Sequence, residues 1–345
     1  MNRGLRAGRE TTSVSRGALA AALSRATDLA IGQPIGFALR VAVLAERLAL
    51  ASGISESGLR AVFYQALLCN IGCNSEATAF AALVGDEIAF RRDYARIDQA
   101  NTREVARLIR MHLRKANAEV GIFAALINIA KGLRGNRKDL VEILRGQNEV
   151  AQMLGERLGL EGEIFRALGQ AHARWDGQGL PEGLAETAIA PAARVVRVAQ
   201  DMLIFKQAFG RGQAIALLRE RSGKVYEPKL VVEMEDRASG LLTGLDELNA
   251  YDTLETLPGR HEWLTESELE EALSAMADFI DIKSPFNMGH SRALAVLVEL
   301  AGKAANLPAD LVKIMRQATL LHDIGQASVS ARTFDKPAIF NWADR

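Results

Sequence analysis

Near the end of the chain, the string LLHDIGQ sets His322 beside Asp323, and the upstream string MGHSRA supplies His290. An adjacent imidazole and carboxylate both reach one metal centre. The imidazole fills a terminal position, and the carboxylate can bridge two metals. With His290 they form the first ligands of a hydrolytic metal site. Such a site needs rigid supports. Leu311, Met315, Ala318 and Leu321 recur at helical spacing up to the His-Asp pair, and Gly325 follows as a stop. His290 heads a second helical segment.

The same pattern occurs twice. At a constant offset of 253 residues and without a gap, Phe37 falls on His290, Cys69 on His322, Asn70 on Asp323 and Gly72 on Gly325. Ala42-Val43-Leu44 falls on Ala295-Val296-Leu297, Leu67-Leu68 on Leu320-Leu321, and Asp28 on Asp281. This is the mark of a duplicated helical module. In the first copy the frame stays and the donors change, and a phenyl ring at position 37 offers a metal nothing.

Further landmarks carry a resemblance. AHARWDGQGLPEGL at 171–184 resembles HHERWDGSGYPxGL, and IAPAARVVRVAQD at 189–201 resembles IPLxARIVxVAD. DIKSPFNMGHS at 281–291, HDIGQ at 322–326 and DKPA at 335–338 complete the set. In this order and spacing the chain resembles tandem HD-GYP domains, a branch of the HD-domain phosphohydrolases. The likeness covers most of 20–240 and all of 265–345. It implies an all-α fold of two tandem helical modules, the second incomplete at Arg345.

Carried over residue by residue, the resemblance makes His290, His322 and Asp323 metal ligands, with Asp323 the catalytic bridging carboxylate. Gln326 stands where the family has a phosphate-contacting lysine, so a neutral hydrogen bond replaces a cation. Phe286 occupies the position of a carboxylate found in three-metal variants, which points to two metals, Fe or Mn, per complete site. In the first copy Phe37, Cys69, Asn70, Gln147, Ala171 and Gln200 replace the ligands, and only His172 keeps its imidazole. One imidazole cannot hold a dinuclear centre, so that copy is a structural or sensory pseudo-domain.

The implied chemistry is metal-dependent hydrolysis of a cyclic dinucleotide, typically cyclic di-GMP, once the second module is complete. By ligand count this chain is inert alone. The alternative is a non-catalytic regulatory module, sensing a ligand or dimerising, of the kind that in the family can precede a DNA-binding domain. A homo-oligomer is expected in either case.

Composition agrees. The chain of 345 residues is Ala/Leu-rich and poor in aromatics, as helical proteins are. Zero net charge gives no nucleic-acid signal. No apolar run reaches the roughly 18 residues that span a bilayer. The longest, Val120 to Ala130, is expected as a buried helix. There is no signal-peptide pattern, and two cysteines fit a reducing, cytoplasmic setting. Residues 1–16 are expected as a flexible tail, 17–248 as the degenerate domain with a helical insertion at about 85–140, 249–264 as a linker, and 265–345 as the start of the second domain. Thr265 to Glu268 forms a capping box. Cys69 and Cys73 are expected as buried inert thiols. Asp176 is expected in an Asx-turn at Gly177, His112 and His261 at the surface, and RRDYAR (91–96) and RMHLRK (110–115) as solvated helix faces.

Overall fold

In the computed structural model, which describes residues 11–98, 101–117, 137–249, 253 and 261–335, a carboxylate buried at the end of one helix starts the next. Helix α1 (Arg16–Ala30) precedes α2 (Phe37–Ala51), whose N-cap Gly36 lies in the left-handed region at φ 82° and offers no side chain. Asp28 of α1 supplies the missing acceptor: its Oδ1 takes the Ala38 N–H at 3.0 Å. Helix α3 (Glu56–Leu68) follows, closed by Cys69 and a 3-10 turn over Ile71–Asn74.

The arrangement recurs later. Helix α12 (Glu266–Asp281) opens with the expected capping box at Thr265 and Glu268 and leads to α13 (His290–Ala304). The N-cap of α13, Gly289, is again left-handed at φ 76°. Asp281 accepts both the Ser291 N–H at 2.9 Å and its hydroxyl at 2.7 Å. Helix α14 (Ala309–Leu321) ends at His322 before a 3-10 turn over Ile324–Ser328. Both ends of α13 and α14 lie 253 residues after those of α2 and α3. One difference has a physical cost. Ala38 has no hydroxyl where Ser291 has one, so Asp28 Oδ2 is buried without a partner, and burial pushes the Asp28 carboxyl up to about 7.

Between the two regions, α4 (Ala77–Val84), α5 (Glu87–Tyr94) and α6 (Thr102–Asn117) lie in and beside the expected insertion and share a small apolar cluster of Phe80, Val84, Phe90 and Leu108. The second expected helix, including Val120 to Ala130, lies outside the described residues. Helix α7 (Arg137–Arg157) passes so close to Gly72 that a Cβ there would sit 1.8 Å from the Gln147 carbonyl oxygen. After α8 (Glu163–Leu168), α9 (Pro191–Phe209) buries Val195, Val196, Ala199 and Met202 in the main core, against α2 and α3. Helices α10 (Arg211–Glu220) and α11 (Pro228–Leu241) complete this region. Among the described residues nothing covers α13 and α14 in the same way: Leu44 is fully buried, whereas Leu297 is 61% exposed.

The helical class holds, with one addition. Part of the expected flexible tail, Thr11–Ser15, is a strand, β1, paired antiparallel with β2 (Trp263–Thr265) inside and beside the expected linker. Thr12 Oγ1 donates to the Leu264 carbonyl at 2.9 Å, and Leu264 is buried. Five residues that bury little apolar surface show no alternation in sequence, and their partner is some 250 residues away. One apolar core runs from α1 through α9 into α12. Around it, Arg157 pairs with Glu271 at 2.6 Å and with Asp278, and the buried Glu87 caps α15 (Ala331–Phe334) by accepting the Ala331 N–H at 2.8 Å. Among the described residues, no helix is long and apolar enough to cross a membrane.

Candidate functional site

His290 is the first residue of α13, and His322 closes α14 with Asp323 behind it. The packing of α13 along α14 brings the three together. Asp323 Oδ2 lies 3.1 Å from His322 Nε2 and 3.8 Å from His290 Nε2, and one ligand atom from each residue falls within 4.8 Å of the others. An ion at about 2.1 Å from its donors holds neighbouring donors about 3.0–3.4 Å apart, so the set fits one ion with small adjustment. It is the only such group among the described residues.

The ring of His322 is oriented by its other nitrogen: Nδ1 lies 2.7 Å from the Thr319 carbonyl, so it carries the proton and Nε2 keeps its lone pair for a metal. His290 is aimed by its helix start, which Asp281 holds through Ser291. Two imidazoles and a carboxylate suit Fe, Mn or Zn. The site is open: both histidines are exposed, which leaves room for water and substrate. Gln326 lies nearby on the 3-10 turn, its Oε1 3.4 Å from Asn287 Nδ2. Lys283 does not replace the missing cation, because its ammonium is buried behind the turn and donates to the Ala327 carbonyl at 2.6 Å.

The counterpart positions also meet. Cys69, Asn70, Gln147, Ala171, His172 and Gln200 line one cavity of about 90 Å³. Gln200 Oε1 lies 3.4 Å from both Cys69 Sγ and Asn70 Nδ2, and Cys73 Sγ lies 3.7 Å from Gln147 Oε1. Phe37 stays out of the cavity lining and packs in the core. Burial pushes the Cys69 thiol up to about 12, as an inert thiol requires. His172 lines the cavity, and burial with the nearby Arg197 lowers it to about 4, so it is neutral.

Several cavity residues were not signalled by the motifs: Gln33, Gln65, Tyr94, Arg91 and Arg197 also line it. Arg91, expected on a solvated face, is buried and donates to the carbonyls of Ala30 and Cys73. His112, expected at the surface, is buried against Asp93 at 3.1 Å. His261 is exposed as expected, and Asp176 Oδ1 accepts from the Gln178 N–H in the expected Asx-turn.

Comparison with known proteins fits this geometry. Residues 135–230 match the HD domain family, and this segment holds Gln147, His172 and Gln200. Over 328 residues the chain is 26% identical to a 3′3′-cGAMP-specific phosphodiesterase 3 of Vibrio cholerae, covering 93% of this chain and 70% of that protein. A crystal structure of cyclic GMP-AMP specific phosphodiesterases from the same organism superposes with a TM-score of 0.70 at 23% identity, over 96% of this chain and 76% of that one. Residues 135–230 thus resemble an HD domain, and the chain has the helical fold of that structure.

Proposed function

We propose that His290, His322 and Asp323 are metal ligands of a metal-dependent phosphodiesterase of cyclic dinucleotides, whose activity requires the second module to be complete. The observation that carries this is the convergence of these three donors at helix ends whose counterparts elsewhere in the chain have lost theirs. A bound divalent metal would lower the pKa of water and neutralise charge building on the phosphate. The residues of the chain do the rest. His322 is fixed in the required tautomer, Asp323 sits between the two imidazoles, and the Gln326 amide can donate to a phosphate oxygen. The matching boundaries of α2–α3 and α13–α14 support a duplication whose first copy became non-catalytic, in the HD-GYP manner.

The Vibrio relative is named for 3′3′-cGAMP, while the motif resemblance points to cyclic di-GMP; the two differ in one base. Three donors hold one ion, and a second ion needs donors beyond the described residues. We therefore expect the 345-residue chain to bind metal without multiple turnover. The absence of a phosphate-facing lysine at Gln326 favours a second reading, a regulatory module that binds the dinucleotide without cleaving it.

The test is elemental mass spectrometry of the purified chain beside His290→Ala/Asp323→Ala, followed by hydrolysis assays with both dinucleotides. One or two Fe or Mn per chain, lost in the double variant, supports the metal centre. Metal no higher than in the variant would refute it. Multiple turnover abolished by His322→Ala would overturn the inert reading while keeping the site.

A further inference from the structure

The metal donors stand at two helix ends, and residues 281–284 at the close of α12 brace both. Asp281 holds the start of α13, beside His290, through the Ser291 N–H and hydroxyl. Two residues on, Lys283 reaches the other end. Its Nζ donates to the Ala327 carbonyl at 2.6 Å and to the Gln326 carbonyl at 3.3 Å, on the 3-10 turn that begins after Asp323. The Gln326 N–H donates in turn to the Asp323 carbonyl at 2.8 Å. Only Gln326 therefore stands between the ammonium and the backbone that aims the Asp323 carboxylate.

A lysine in this place needs a reason. It is only 2% exposed, and a buried charge persists where it is bonded. Burial lowers its ammonium to about 8 against the opposing pull of Glu87, so it stays charged at neutral pH. The 253-residue offset puts Ala30 at the matching position, so the repeat does not dictate a cation here. The first region nevertheless sets a buried cation on its own turn. Arg91 of α5 donates to the carbonyl of Cys73, the counterpart of Gln326, and to that of Ala30. The turn without metal donors is thus held from α5. The turn that carries Asp323 is held from the same stretch that holds His290.

The first region keeps this stretch in place. Thr78 Oγ1 of α4 lies 3.1 Å from the Lys283 carbonyl and 2.9 Å from Asp335 Oδ2, and Asp335 Oδ1 accepts the Ser284 hydroxyl at 2.6 Å. Glu87 of α5, fully buried, accepts the Ser330 hydroxyl at 2.7 Å and the Ala331 N–H. Helix α1 packs directly against the Ile324–Ser328 turn. Both sides of the Lys283 contact are tied to the first region in this way.

We propose that Lys283 is a positioning residue of the metal centre: it fixes the turn that carries Asp323 relative to the start of α13, and Thr78 and Glu87 of the first region hold that brace. The inference rests on His290, His322 and Asp323 being metal ligands. It gives the degenerate region a task in the second region's site that requires no ligand of its own.

The test is titration of the metal-free 345-residue chain with cobalt(II), followed by calorimetry and by the visible spectrum of the bound ion. Lys283→Met should keep the native circular dichroism spectrum, weaken cobalt binding about tenfold or more, and alter the visible bands. Thr78→Val should weaken binding in the same direction and by less. Arg91→Met, which frees the matching turn of the first region, should lower the urea midpoint and leave cobalt affinity and bands unchanged. Equal affinity and bands in Lys283→Met and the unaltered chain would overturn the proposal, and so would an equal loss in Arg91→Met, which would mark general loosening. If Lys283→Met does not fold, Thr78→Val decides, and an unchanged cobalt affinity there overturns the proposal. Cobalt binding by the unaltered chain no tighter than by His290→Ala/Asp323→Ala would instead sink the metal reading itself, and this inference with it.

Discussion

The substitution Ala38→Ser writes one feature of the second region into the first. Ser291 gives its hydroxyl to Asp281 at 2.7 Å, whereas Asp28 Oδ2 is buried and unpartnered because residue 38 is alanine. Burial raises Asp28 from 3.8 to about 7. A carboxyl raised in the folded state binds a proton that the unfolded chain releases. The contribution of Asp28 to stability is therefore greatest below about pH 4, falls as the pH rises, and stops falling above about pH 7. A rise from 3.8 to about 7 corresponds to at most about 4 kcal/mol.

A serine hydroxyl donating to the charged oxygen contributes about 1.5–3 kcal/mol, less about 0.5 kcal/mol of helix propensity. The variant should then be about 1–2.5 kcal/mol more stable at pH 8 and nearly unchanged at pH 4.5, where Asp28 is neutral in both. Urea unfolding followed by circular dichroism across this range reads the difference, with Asp28→Asn as the control that removes the titration. An equal gain at both pH values, or no gain at pH 8, would refute the account of the orphaned oxygen.

The converse change, Ser291→Ala, should orphan an Asp281 oxygen, loosen the start of α13 and weaken manganese binding at His290 by about tenfold in calorimetry. Gly72→Ala should lower stability by about 3 kcal/mol or more, because its Cβ would meet the Gln147 carbonyl at 1.8 Å. Gly325→Ala, with nothing within 4 Å, should shift the melting temperature little. Glu262→Ala removes the shared acceptor of Arg16, Arg60 and Tyr64 and should cost about 1–2 kcal/mol, since the group is partly exposed; an unchanged urea midpoint would count against that hub.

The likeness of the two regions is legible because an ungapped offset keeps the boundaries of α2 and α3 in phase with those of α13 and α14, and a His-Asp pair is a local signal. Other features needed contacts that no local pattern encodes. Arg91 looks like a surface arginine until the carbonyls of Ala30 and Cys73 are seen around it. His112 of α6 finds Asp93 of the preceding helix α5, and β1 finds a partner some 250 residues away. Gln147 illustrates the middle case. Its loose sequence match gains meaning from Gly72, whose missing side chain lets the α7 backbone drop into place beside the cavity.

The two regions together show which parts of the frame depend on the metal chemistry and which do not. Phe37, Cys69 and Asn70 stand where donors stand in the second region, yet Asp28 still caps α2 as Asp281 caps α13. The cap serves folding: without it the first N–H groups of a helix that begins at a left-handed glycine would be buried unpaired. On the proposed reading the donors serve the ion, and the first region folds with phenyl, thiol and amide groups at their positions. Ala38 lies between these cases. It keeps the cap and drops the hydroxyl that tightens it, and the cost falls on stability, as the orphaned Asp28 oxygen shows. In the second region the same hydroxyl sits next to His290, so its loss would register in metal affinity before it registered in stability.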